Sequence, residues 1–128
     1  MYEKLKFQQN DLVFASRYES GCKSDDDTIV TYLGNFIFTL IGKIFFGLKI
    51  TDILYTFVMG NTLKVKNLAL SSKDFVFCIE LPIKAKRKAL KITTSKSHER
   101  ARIGGKKKVN AFKDGLLILV GMIKLFFN

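Results

Sequence analysis

Two arginines, far apart in the chain, occupy positions where side-chain type and spacing permit chemistry. One belongs to the basic loop Glu99–Arg100–Ala101–Arg102–Ile103–Gly104–Gly105–Lys106–Lys107–Lys108. Its paired glycines lack a Cβ and tolerate positive φ, so backbone amides there can approach a ligand closely. Arg102 offers a planar fork of donors, and Lys107 with its neighbours adds mobile point charges. Arg102, Gly105 and Lys107 together read as a seat for a phosphate group. The other arginine, Arg17, follows the short run Leu12–Val13–Phe14–Ala15–Ser16. Read as a buried strand, that run delivers Arg17 to its carboxyl end, where open α/β sheets hold ligands. An ion pair with Glu19 or Asp11 is the competing role for Arg17.

The charge of the chain is localised. The 128 residues carry a formal charge of +11. Residues 84–113 hold twelve Lys or Arg against one acid, Glu99, while the remainder is balanced at ten of each. A patch of this kind implies an anionic partner such as a phosphate, an acidic membrane surface or nucleic acid, or else a merely solvated face. Phe112 is its one interleaved aromatic, which argues against stacked nucleic-acid bases. Two cysteines without C-x-x-C spacing and one histidine, His98, are too few for a structural zinc site, and reduced thiols are expected. Residues 1–10 are polar and charged, without the apolar stretch of a signal peptide. At 48% hydrophobic residues the chain suits one modest folded domain.

The elements that must position these groups follow from patterning. After the first strand, residues 19–27 form a polar loop, and Asp27 or Thr28 caps a helix. Over residues 29–48, Ile29, Leu33, Ile37, Leu40, Ile41, Ile44, Phe45 and Leu48 recur at helical spacing. Thr31, Asn35, Thr39 and Lys43 occupy the other side. Such a segment is long enough to cross a bilayer, but its polar stripe favours a helix laid on a sheet or a membrane surface. A strand is expected over residues 53–59, a turn at Gly60–Asn61, and a short helix or irregular stretch over 62–70. Next come a helix over 78–89, with Pro82 in its first turn, and a strand over 90–94. Glu80 is placed to pair with Lys84 at i+4. Asp25–Asp26–Asp27 reads as a solvated loop at a helix N-terminus, and His98 as a satisfied strand residue. Residues 115–127 are apolar all round but too short to span ~30 Å of hydrocarbon.

Four stretches in this order resemble the C-terminal half of a family 2 glycosyltransferase of the dolichol-phosphate mannosyltransferase or polyprenol-phosphate sugar transferase type. Asp11–Leu12–Val13–Phe14–Ala15–Ser16–Arg17–Tyr18 is similar to D-x-V-x-G-S-R-Y. The stretch from Asp27–Thr28 through Leu33–Gly34–Asn35 to Phe46–Gly47–Leu48–Lys49–Ile50–Thr51–Asp52 resembles the family's long helix and following strand. Phe75–Val76–Phe77–Cys78–Ile79–Glu80, Lys84–Ala85 and Leu90–Lys91–Ile92 resemble F-x-F-x-x-E, K-A and L-x-I. Ser97–His98–Glu99, Arg102–Ile103–Gly104–Gly105 and Asn110–Ala111–Phe112–Lys113–Asp114–Gly115 resemble S-x-E, R-x-x-G and N-x-F-x-D-G. The pieces cover about nine-tenths of the chain. Departures are Lys96 in place of proline, Lys107 in place of serine, and Thr56 in place of glycine.

The resemblance implies an α/β fold: an incomplete C-terminal half of a nucleotide-diphospho-sugar transferase (GT-A-like) fold, with few strands and three to four helices. Residues 1–114 would form the acceptor-side part, and residues 115–128 an apolar, membrane-interfacial helix. The implied reaction moves a sugar from a nucleotide-diphosphate donor to a polyprenol phosphate. Arg17 and Arg102 would hold the acceptor phosphate, aided by Gly105 and Lys107. Asp52 would face the donor sugar or cap the loop before its strand. The nucleotide-sugar donor and a divalent Mg or Mn ion would sit on an N-terminal half with a D-x-D, whose ligands are not in this chain, so the chain reads as a fragment without activity of its own. Its place would be cytoplasmic, peripheral at the membrane. The competing reading is a non-enzymatic basic module that binds anionic lipid or nucleic acid.

Overall fold

Strand β1, Leu12–Ser16, is buried at every residue. Its near-continuous apolar run suits a strand covered on both faces. The computed structural model describes residues 1–105 and 109–128. Among the described residues the fold is mixed α/β, with five helices and one three-stranded sheet of order β2-β1-β3. Strand β2, Val58–Gly60, pairs antiparallel with β1, setting Leu12 opposite Gly60. A Cβ on Gly60 would stand 2.4 Å from Leu12 Cδ2 and 3.2 Å from the Asp11 carbonyl oxygen, so any larger residue there would force the buried Leu12 to shift. Strand β3, Ile92–Lys96, pairs parallel with β1, from Leu12 opposite Ile92 to Ser16 opposite Lys96.

The five helices exceed the three to four expected. The addition is α1, Tyr2–Lys6, one turn lying against β1 and β2. Its Lys4 Nζ donates to the Thr94 carbonyl at 2.6 Å. Helix α2, Ile29–Phe46, starts at Thr28 in a reciprocal capping pair with Thr31 and ends at Gly47, which is left-handed at φ 63°. Helix α3, Thr62–Lys66, is capped by Asn61. Helix α4, Phe77–Arg87, buries Ile79 and Ile83 and carries Pro82 in its second turn, because the helix begins at Phe77. Helix α5, Ala111–Phe127, follows an Asn110 cap, begins four residues ahead of the apolar stretch, and packs on α2 and α4. A Cβ on its Gly121 would lie 2.7 Å from Val76 Cγ1, so that crossing is close. Leu12, Phe14, Ile50, Ile53, Ile79 and Met122 are among the residues that form the core between sheet and helices.

The strand expectation is overturned for a specific reason. The strand expected over residues 53–59 is confined to Val58–Gly60. The N–H groups of Ile53 and Leu54 go instead to Thr39 Oγ1 at 3.2 Å and Asn35 Oδ1 at 2.9 Å on α2, so they are lost to the sheet. Those same bonds set which way α2 faces. Its buried residues are Asn35, Thr39 and Gly42, the polar and small stripe. Its apolar positions Ile29, Leu33, Ile37, Leu40 and Ile44 face outward, between 45% and 79% exposed. Backbone groups without a ladder partner need acceptors, and buried ones cost roughly 1–3 kcal/mol each if unmet, so the polar stripe is drawn inward.

Helices α2 and α5 run side by side. Phe38 lies 4.0 Å from where a Gly115 Cβ would stand, and Phe126 packs edge-on against Phe45 and Phe46. On α5, too, Phe112, Leu116, Ile123 and Phe127 are exposed. Lys43 and Lys124 stand in the last turns of the two helices, and Arg87 donates to the Leu125 carbonyl. By length and composition α2 could cross a membrane.

Candidate functional site

Strand β1 ends at Ser16, whose carbonyl accepts the Ser97 N–H at 2.9 Å and whose hydroxyl accepts from Thr51 Oγ1 at 2.7 Å. These bonds bring three separate segments to the carboxyl edge of the sheet, where Arg17 emerges. Arg17 is 7% exposed. It donates from Nε to Asp52 Oδ2 at 2.7 Å and from Nη2 to Asp52 Oδ1 at 2.9 Å, and its backbone N–H also reaches Oδ2 at 3.0 Å. Nη1 donates to Glu99 Oε2 at 2.9 Å and lies 3.3 Å from Asp27 Oδ2. The guanidinium is 4.5 Å from the Tyr55 ring centroid and 5.1 Å from that of Tyr18.

Burial works against the charge on Arg17, but the bonds and charges of Asp52, then Glu99, outweigh it and raise the pKa beyond the ordinary guanidinium value. Burial and a hydroxyl bond to Asp27 push the Tyr18 phenol well above its usual range. Neither group exchanges its proton near neutral pH. Burial also pushes the Cys78 thiol up to about 11, which removes it as a nucleophile.

Arg17 and Arg102 line one cavity of about 430 Å³. Its polar side holds both arginines with Asp26, Asp27 and Glu99, and its apolar walls come from Phe38, Leu54 and Ile118. Arg102 Nη2 lies 3.5 Å from Asp26 Oδ2. The amide of Asn35 also borders the space; among the described residues its buried Nδ2 has no hydrogen-bond partner. The cavity opens between the N-terminal halves of α2 and α5, where Gly34 and Gly115 leave room.

The expected site residues meet different fates. Arg17 and Arg102 converge on the cavity. Asp52 is not among the residues lining it; at 1% exposure it lies beneath Arg17 as its bidentate partner and also accepts the Arg17 backbone N–H. The pairings considered for Arg17 are otherwise engaged, Asp11 with Lys64 and Glu19 with Thr94. Gly105 adopts φ +81°, as a glycine hinge should, but is exposed and away from the cavity lining. Lys107 lies outside the described residues. The aspartate run is not simply solvated, since Asp26 and Asp27 line the cavity while Asp25 pairs with Lys23 and with His98. Glu80 pairs with Lys84 at 2.7 Å as expected, and also accepts the N–H groups of Ser71 and Ser72. Ser24, Tyr55 and the side chain of Glu99 were not legible as site members; only the charge run through residues 99–102 hinted at the last.

Among the described residues no group of three or more His, Cys, Asp or Glu is arranged to hold a metal ion. Among the described residues, Asp25 and Asp27 are committed to cationic or hydroxyl partners and do not offer a ready carboxylate pair for a Mg or Mn ion. No family model, curated protein or solved structure matches the chain.

Proposed function

We propose that this chain provides the acceptor-phosphate side of a glycosyltransferase of the polyprenol-phosphate type, within a GT-A-like fold. The observation that carries the reading is the convergence of Arg17 and Arg102, 85 positions apart in sequence, on one apolar-walled cavity. Its place at the carboxyl end of a strand with a parallel neighbour suits such a fold. In the reaction an oxygen of the lipid monophosphate attacks the anomeric carbon, the C–O bond to the nucleoside diphosphate breaks, and that diphosphate leaves with the bonding pair. The attacking oxygen is already anionic at neutral pH, so the protein needs to position it rather than deprotonate it. Arg102, with Arg17 behind it, would supply that positioning, and the charge of Lys107 would add to the local field. Asp52 would then act by fixing the Arg17 plane. The nucleotide-sugar donor and any divalent ion belong to a donor-side half, and no step here runs through a metal.

A lipid-borne acceptor also requires the cavity to lie near a bilayer. The outward apolar faces of α2 and α5, with Lys43 and Lys124 in their final turns, support a peripheral, cytoplasmic-side attachment. The same faces favour a second reading, a basic module that binds anionic lipid without catalysis.

Titration of the full chain in detergent micelles with farnesyl phosphate and with farnesol separates the two. The acceptor reading expects farnesyl phosphate to bind at least ~10-fold tighter than farnesol, and Arg102→Ala to remove most of that preference, as for a charge-assisted contact worth roughly 1.5–3 kcal/mol. Equal binding of both, with firm attachment to phosphatidylglycerol vesicles, would leave the lipid-binding module instead.

A further inference from the structure

One carboxylate oxygen, Glu99 Oε2, is the meeting point of two donors. Arg17 Nη1 reaches it at 2.9 Å and Ser24 Oγ at 2.5 Å. Arg17 and Glu99 border the cavity, and Ser24 lines a neighbouring depression with Tyr18 and Asp27. An arginine nitrogen and a hydroxyl converging on a single oxyanion form the donor set that phosphate oxygens take.

The carboxylates around Arg17 differ in how firmly they are held. Asp52 has no solvent-exposed side-chain surface and fills two guanidinium nitrogens. Asp27 is tied to the Tyr18 hydroxyl and accepts from Thr31 Oγ1 at 3.0 Å. Glu99 is different, with its side chain 26% exposed. Its backbone is pinned: the N–H reaches the Lys23 carbonyl at 3.2 Å, and the carbonyl accepts the Asp25 N–H at 2.8 Å. Rotation of the side chain alone can therefore vacate the position. Adding a phosphate while all three carboxylates stay on Arg17 would press like charges together in a sheltered site, which is strongly unfavourable. Exchanging one anion for another leaves both donors satisfied.

We propose that Glu99 is an internal stand-in for a ligand's phosphate: its carboxylate occupies an oxyanion seat built from Arg17 Nη1 and Ser24 Oγ, and a phosphate monoester takes the seat when Glu99 turns to solvent. The inference rests on the acceptor-phosphate reading and adds two residues to it. Ser24 is a phosphate donor, and Glu99 sets the affinity.

The test titrates inorganic phosphate and farnesyl phosphate into the full chain in micelles, followed by ³¹P NMR, for wild type, Glu99→Gln, Glu99→Ala and Glu99→Ala/Ser24→Ala. Removing the competing charge is expected to tighten inorganic phosphate ~10-fold or more, a change that corresponds to about 1.4 kcal/mol. Adding Ser24→Ala is expected to reverse a good part of that gain. The glutamine variant keeps an acceptor for both donors and carries the test if the alanine variant unfolds. A folded Glu99→Gln protein that binds phosphate no tighter than wild type overturns the stand-in. Unchanged farnesyl phosphate binding in that variant would leave the acceptor reading intact while overturning this one. Tight phosphate binding by Glu99→Gln without any preference for farnesyl phosphate would support the seat and remove the lipid acceptor.

Discussion

Arg17 and Asp52, 35 residues apart, meet in a two-pronged pair at 2.7 and 2.9 Å, closed by a third bond from the Arg17 backbone. The pair joins the end of β1 to the turn that follows α2, and it sets the guanidinium plane that faces the cavity. Breaking a buried pair by neutralising one partner strands the other charge. Asp52→Asn is therefore expected to cost about 3–5 kcal/mol, read as a lower midpoint in urea unfolding. A loss below ~1 kcal/mol would mean that Asp27 and Glu99 suffice to hold Arg17.

Thr39 offers a test of how α2 faces. Thr39→Val keeps the shape and makes the helix more apolar, yet removes the acceptor for the Ile53 N–H. The expected result is destabilisation by roughly 1–3 kcal/mol. If valine stabilises the protein, the polar stripe does not face inward.

The outward faces of α2 and α5 predict lipid binding. Replacing Leu33 and Leu116, both more than half exposed, with aspartate should leave thermal unfolding nearly unchanged. Co-sedimentation with vesicles containing phosphatidylglycerol should fall ~10-fold or more, since each buried leucine contributes about 1.5–3 kcal/mol and each added acid opposes the anionic surface. Raising salt should weaken wild-type binding only in part, because the apolar contribution is not screened.

Glu80 gives a pH dependence with a definite sign. Burial raises its pKa, but Lys84 and then the N–H groups of Ser72 and Ser71 outweigh burial and bring it from 4.5 down to about 2. A depressed carboxylate contributes stability that is fully present above pH 4.5 and is lost as pH falls toward 2. Glu80→Gln should flatten the stability profile over that window and lower stability at pH 7 by about 2–3 kcal/mol. Equal acid sensitivity in wild type and variant would show that the charge of Glu80 is not what holds the Ser71–Ser72 turn.

Local rules were enough for much of the framework. The run Leu12–Ala15 reads as a buried strand because no residue in it tolerates water. Of the two caps the sequence offered for α2, Thr28 is the one used, and Gly47 ends the helix; Asn61, read as part of a turn, also caps α3. The helical period placed α4 within two residues at each end. The i+4 spacing of Glu80 and Lys84 was legible for the same reason: both partners lie on one element.

What the sequence determined by itself, then, was a set of features that depend on near neighbours: the bounds of α2, the period of α4 and the basic patch. Only tertiary structure decided which way α2 faces, because the deciding groups are the N–H donors of Ile53 and Leu54, which periodicity within the helix cannot register. It alone decided that Asp52 lies under Arg17, and that Glu99 and Ser24 share one oxygen beside it. A charge has no intrinsic spacing to betray its partner. Its pairing follows from where packing sets the backbone, and here three segments are drawn to the end of β1 by hydrogen bonds that no local pattern encodes.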